Sequence, residues 1–175
     1  TALDVHHTLA PPTSRFRIDP APLLARAVPL REQPRLAVLE PADMVLHGVL
    51  HLMQDGDFSG GLRDLLDFDD LVRHFGTDAG FWPTLLARAQ ELGVQRPLRD
   101  AWTHAHRLLG TPAPDQAGAW FDRQGGSHIR RAAMDAALVH ALRPDHPHCD
   151  SPGTAVARRA LYVRSHWLRM PWYQI

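Results

Sequence analysis

Two histidines four residues apart, His47 and His51, are the first residues in this sequence whose types and spacing could support chemistry. Residues at i and i+4 are neighbours on a helix surface, so both side chains are expected on one helix face. Such a pair can ligate zinc, and zinc proteases place a glutamate directly after the first histidine. Gly48 occupies that position, which argues against a zinc protease.

Three interpretations of this histidine pair remain open. The surrounding helix is apolar on most sides, and a histidine in such a helix most often hydrogen-bonds a neighbouring acid, so we favour that structural role. The second interpretation is a substrate-facing role. The third is metal ligation, with Asp55, Asp64 or Asp67 as a third ligand.

The next predicted helix carries charged residues in its first turns. Arg63 and Asp67 are four residues apart and can pair on an exposed face. Acids in a first turn also suit the helix dipole. Arginine pairs occur at 130–131 and 158–159. These pairs could bind phosphate, but arginines on helices are more often solvated, so no site is assigned to them.

Composition narrows the possible functions. The chain has 175 residues, of which 45% are hydrophobic, so it suits one domain that buries roughly 70% of its unfolded surface. Its 19 acidic and 19 basic residues balance. This balance argues against a protein that binds nucleic acid or an anionic membrane through a net positive charge. All 19 basic residues are arginine. Any anion must therefore be held by arginine, backbone N–H groups or metal.

The single cysteine, Cys149, excludes an intrachain disulfide and a cysteine-based zinc cage, and suits a reducing cytoplasm. No apolar run approaches the ~20 residues of a transmembrane helix. The first residues, TALDVHHTLAPPT, show neither a starting methionine nor a signal-peptide pattern. We therefore expect a cytoplasmic protein that is a piece of a longer one.

Hydrophobic periodicity and helix-capping signals predict a mainly α fold, a helical bundle with a short N-terminal β element. Gly93 and Gly110 are predicted helix C-caps. Strands are predicted at Ala2–Leu9 and Arg35–Glu40. Helices are predicted at 19–27, 42–54, 61–75, 78–92, 95–109, 115–123, 127–142 and 154–168.

Several segments together resemble a known family. In order they are LDVHHTL, LAVLEPADMVLHGVLHLMQ, LRDLLDFDDLV, FWPTLLARAQELGVQRPLRDAWTHAHRLLGTPAP and YVRSHWLRMPW. Their order and spacing resemble the uncharacterised nucleotidyltransferase family found in many bacteria, within the polymerase-β-like superfamily. Each motif alone is weak, but the match covers nearly the whole chain.

The resemblance implies a two-metal enzyme that, when intact, transfers a nucleoside monophosphate from an NTP to an unknown acceptor with Mg²⁺. The superfamily's Gly-Ser-x-x-Asp-x-Asp signature is missing, because Gly126-Ser127 is followed by no paired aspartates. Residues 1–40 would then be a remnant of the catalytic α/β domain, and residues 41–175 its helical C-terminal domain. Asp4 would be the third metal carboxylate, with His6 beside it.

The same resemblance implies that His47, His51, Arg63 and Asp67 lie near the cleft that faces the catalytic domain, where they would bind substrate. An arginine there could hold a triphosphate. A chain lacking that domain is expected to be inactive and to expose an apolar face that drives self-association. The alternative is a stand-alone, non-catalytic helical module that binds a small molecule or partner protein.

Overall fold

The computed structural model describes Ser14, Phe58 and residues 18–54, 60–124, 126–144 and 146–170. Within these residues the protein is mainly α, as predicted, with one two-stranded antiparallel sheet near its N-terminal end. The predicted strand Ala2–Leu9, with Asp4 and His6, lies outside the described residues, as does Asp55. The elements are α1 Ala21–Ala25, β1 Val28–Pro29, β2 Ala37–Val38, α2 Pro41–Gln54, α3 Gly61–Phe75, α4 Phe81–Glu91, α5 Gln95–Leu109, α6 Asp115–Arg123, α7 His128–Ala141 and α8 Pro152–Arg169.

Helix α2 lies at the centre of the bundle and packs against α3, α4, α5 and α8. Its apolar residues occur on most sides of the helix, and this pattern is typical of a helix surrounded by others. Val45, Leu46, Val49 and Leu50 are almost fully buried. The outer helices each contribute one apolar stripe to the same core, which includes Leu65, Leu85, Leu98 and Leu138.

The small sheet is a hairpin that carries one exposed apolar face. Val28 pairs with Val38 across the strands, and the backbone N–H of Leu30 donates to the carbonyl of Leu36. Alternate residues of a strand share a face, so these four side chains lie on the same side. They are 40–53% exposed. We call Val28, Leu30, Leu36 and Val38 the apolar hairpin face.

Both predicted glycine caps are confirmed. Gly93 and Gly110 have φ of +69° and +70°, in the left-handed region that glycine adopts without steric cost. After Gly93, the backbone N–H of Val94 donates to the carbonyl of Ala89, which closes α4 in a Schellman-type turn. The chain can therefore reverse directly into α5.

Several predicted element boundaries differ from the structure. The predicted strand Arg35–Glu40 is shortened to β2 Ala37–Val38, and the predicted helix 154–168 begins earlier, at Pro152. Helix α4 begins at Phe81 and not at Asp78, because the Asp78 carboxylate accepts a hydrogen bond from the Gly80 backbone N–H and holds a turn instead. Strand β1 was not predicted, since Pro29 within it is a weak strand signal. None of the helices in the described part of the chain is long and apolar enough to span a bilayer.

Candidate functional site

The four residues predicted to bind substrate all lie on the exposed edge of the α2–α3 hairpin. His47 and His51 project from α2, and Arg63 and Asp67 project from α3. The two helices pack directly against each other. We call these four residues the α2–α3 edge. All four side chains are exposed.

His51 of α2 approaches an acid of α3 beside this edge. His51 Nδ1 lies 3.8 Å from the Asp64 carboxylate, with both side chains partly exposed. That distance fits an ion pair when the imidazole is protonated, and is too long for a hydrogen bond. The histidine thus approaches an acid of the facing helix, as in the favoured structural interpretation. The possible pair between Arg63 and Asp67 does not form within the described chain, and both side chains point to solvent.

The metal alternative gains no support at this edge. Within residues 18–54, 60–124, 126–144 and 146–170, no group of three His, Cys, Asp or Glu side chains is arranged to hold an ion. The acid contacting His51 supplies one further ligand at most, whereas zinc sites use three or four protein ligands. The described residues therefore do not by themselves fit a metal.

A buried ion pair joins two of the family-like motifs. Arg88 of α4 donates from Nε to Asp43 Oδ1 at 2.8 Å and from a terminal nitrogen to Oδ2 at 3.2 Å. The Asp43 side chain is 0% exposed and that of Arg88 is 7% exposed. Arg88 also bonds Glu91. The hydrogen bond that Arg88 donates to Asp43 raises the pKa of Arg88 above its ordinary value. Both residues belong to the motifs that carry the family resemblance, but they lie 45 positions apart, and no local sequence pattern predicts their pairing.

A second polar cluster attaches the loop after α5 to α3. The buried Thr111 hydroxyl donates to Asp69 at 2.6 Å, and Arg73 donates to both oxygens of the same carboxylate. Arg73 also donates to the backbone carbonyl of Leu109. This cluster satisfies the loop's polar groups, and we interpret it as structural.

A third cluster surrounds His104 in the core. Its ring is 1% exposed, and Nε2 lies 3.5 Å from the Asp135 carboxylate of α7. Burial lowers the pKa of His104 to about 4, and the nearby Asp135 only partly opposes this shift. His104 is therefore neutral near pH 7, and its side chain packs in the interior of the protein. It is closed off from substrate.

The two arginine pairs have different surroundings. Arg158 donates to the carbonyls of Ala141 and Arg143 and so fastens α8 to the end of α7. Arg130 instead lines an open cleft between α5, α7 and α8. Arg158 therefore makes a structural contact, whereas Arg130 is a cation that faces solvent.

Comparison with known proteins adds one match. The sequence model of the family described as uncharacterised nucleotidyltransferase matches residues 1–110. No curated protein matches the chain. No solved structure matches it either.

Proposed function

Because the chain belongs to the uncharacterised nucleotidyltransferase family, we propose that it is the helical portion of an enzyme that transfers a nucleoside monophosphate from an NTP to an acceptor. The observation that carries the proposal is the family match over residues 1–110, which extends from the N-terminal segment through α5. In this proposal residues 1–40 complete the catalytic domain and residues 41–175 form the helical domain.

Nucleotidyl transfer of this class uses Mg²⁺, which prefers clustered oxygen ligands. The described residues do not provide such a cluster, and the chain lacks the Gly-Ser-x-x-Asp-x-Asp signature. Most metal-binding carboxylates would thus come from outside these 175 residues. From this chain, only Asp4, with His6 beside it, is proposed to contribute.

The α2–α3 edge is proposed to form one wall of the substrate cleft. Its side chains are exposed and include a cation, a carboxylate and two histidines. Arg63 would hold a phosphate, since a guanidinium makes paired hydrogen bonds to phosphate oxygens. Asp67 and the histidines would contact the acceptor or base by hydrogen bonds.

The test is nucleotidyl transfer by the full-length gene product with labelled NTPs and Mg²⁺. We expect Asp4→Asn to abolish labelling and Arg63→Gln to raise the KM for NTP more than it lowers kcat. Asp70→Asn, an exposed acid of α3 outside the proposed edge, is the control and should leave both constants unchanged. Full activity of Asp4→Asn would refute the proposed metal role.

A stand-alone binding module is the second candidate. One observation favours it: helices α2 to α8 share a single core that is built without a large sheet. The coding sequence upstream of residue 1 discriminates between the two. A Gly-Ser-x-x-Asp-x-Asp motif there supports the enzyme, and its absence supports the module.

A further inference from the structure

Four arginines line one cleft on the face formed by α5, α7 and α8. Arg96 lies at the start of α5, Arg123 at the end of α6, Arg130 in the first turn of α7 and Arg164 near the end of α8. The cavity has a volume of about 910 Å³, and the described residues that line it include no acid. We call it the arginine cleft.

The charges in the arginine cleft are poorly compensated. Within the part of the chain that the structure describes, Arg96, Arg123 and Arg130 form no ion pair. Arg131, next in the chain, instead donates to the backbone carbonyl of Asp122. A guanidinium without an ion-pair partner keeps its N–H donors available for hydrogen bonds to an anion.

Arg164 is the most enclosed of the four. Its guanidinium donates a hydrogen bond to the backbone carbonyl of Met53, at 3.3 Å, and to no other described residue. Burial lowers the pKa of its guanidinium below the ordinary value, and the positive charge of Arg130 lowers it further. Arginine nevertheless remains charged at neutral pH, so two mutually repelling cations share this cleft.

An acid beside the cleft is already bonded to another arginine. Asp100 lies beside the cleft, where it accepts a hydrogen bond from Arg99 at 2.7 Å. Its attraction for Arg164 only partly offsets the burial of that guanidinium. An anion in the cleft would therefore relieve the repulsion that the protein itself leaves in place.

Helix dipoles do not account for this arrangement. The first residues of α5 and α7 border the cleft, but so do the last residues of α6 and α8. Helix N-termini favour anions and C-termini disfavour them, so these contributions offset each other. Attraction for an anion comes from the arginine side chains.

From this geometry we propose that the arginine cleft binds a small molecule carrying two or more phosphate groups. Guanidinium pairs match phosphate oxygens, and several of them suit a multiply charged ligand. The volume falls in the range of small-molecule sites, about 300–1,000 Å³. Trp167 also borders the cleft.

A small ligand fits better than a nucleic acid. The whole chain has no net charge, so it lacks the broad positive field that attracts a polyanion. Three of the four arginines also lie beyond residue 110, outside the matched family region. The proposal therefore does not depend on nucleotidyl transfer.

Calorimetric titration of the 175-residue chain with inorganic tripolyphosphate, at low and high salt, tests the proposal. We expect saturable binding that weakens with salt, and a loss of affinity of roughly tenfold in Arg130→Gln. Arg96→Gln is a second variant with the same expected loss. Arg159→Gln removes an exposed arginine of α8 outside the cleft and should bind like the parent chain.

Two results would overturn the proposal. One is a failed tripolyphosphate titration: either the parent chain shows no saturable binding, or Arg130→Gln and Arg159→Gln lose the same affinity although their circular dichroism matches that of the parent. The other is tighter binding of a mixed-sequence single-stranded RNA than of tripolyphosphate, with affinity that rises with RNA length. That second result would assign the arginines to a nucleic-acid surface.

Discussion

At the residue scale, the Asp43–Arg88 pair shows what a buried charge requires. A carboxylate that is 0% exposed is tolerated because Arg88 supplies two hydrogen bonds and a compensating charge. Removing one partner leaves the other charge buried without compensation, whereas replacing both can be nearly neutral. The pair therefore holds α4 against α2 in a defined position.

We predict that Arg88→Met lowers the free energy of unfolding by about 3–5 kcal/mol, because Asp43 then stays buried without its cation. Urea unfolding followed by circular dichroism measures this loss. The double variant Asp43→Leu/Arg88→Met should recover most of it. If the double variant loses as much as the two single variants summed, the ion pair is not what couples these positions.

His104 leads to a pH prediction. Its pKa is about 4 in the folded protein, mainly because of burial, against 6.5 ordinarily. Between these values the unfolded chain binds a proton that the folded protein does not. The contribution of His104 to stability is therefore complete above about pH 6.5 and is lost as the pH falls toward 4. At 1.36 kcal/mol per pKa unit, this loss amounts to about 3 kcal/mol.

Urea unfolding measured at several pH values between 4 and 7 checks this prediction. The variant His104→Leu should have a flatter dependence of stability on pH than the parent chain. His128→Gln, an exposed histidine at the start of α7, should keep the parent's slope. A His104→Leu variant with an unchanged slope would contradict the proposed origin of the pH dependence.

At the element scale, sequence patterns located most helices but did not reveal which polar residues pair. Periodicity and caps depend on residues close in the chain, so α2, α3, α5 and α6 were predicted closely. Asp43 and Arg88 are 45 residues apart, and no local pattern relates them. The residues of the α2–α3 edge lie on consecutive helices, so local patterns could place them on one helical hairpin, but their substrate role stays a prediction. The arginine cleft was missed because it combines four separate elements.

Substitution of two glycines by alanine compares the end of a helix with the interior of a helix. Gly110→Ala should destabilise the protein by about 1–2 kcal/mol, because φ is +70° there and a Cβ is strained in that conformation. Gly118 lies inside α6, where an added Cβ meets open space. Gly118→Ala should stabilise the protein by about 0.5–1 kcal/mol, since alanine is the better helix former. Thermal unfolding of both variants compares the two signs directly.

At the scale of the whole molecule, the apolar hairpin face is the feature most suited to contact with another protein surface. Its four side chains are exposed, and a two-stranded hairpin alone is only marginally stable in water. Covering this face would bury the side chains and support the hairpin.

We predict that this face causes concentration-dependent self-association of the 175-residue chain. Leu36→Glu should shift the chain toward monomer in light scattering coupled to size exclusion, because a charge in a buried apolar contact is costly. Ile129→Glu is the control, since Ile129 is 82% exposed on α7, away from the hairpin. A parent chain that remains monomeric at all concentrations would contradict the prediction.

The contact between α8 and α2 has a consequence for how the protein is made. Arg164 reaches the carbonyl of Met53 across 111 positions of the chain, and α8 buries Ala157 and Leu161 in the common core. Synthesis proceeds from the N-terminus, so the apolar surface of α2 stays partly uncovered until α8 has left the ribosome. During that interval the nascent chain exposes apolar surface that the finished fold buries.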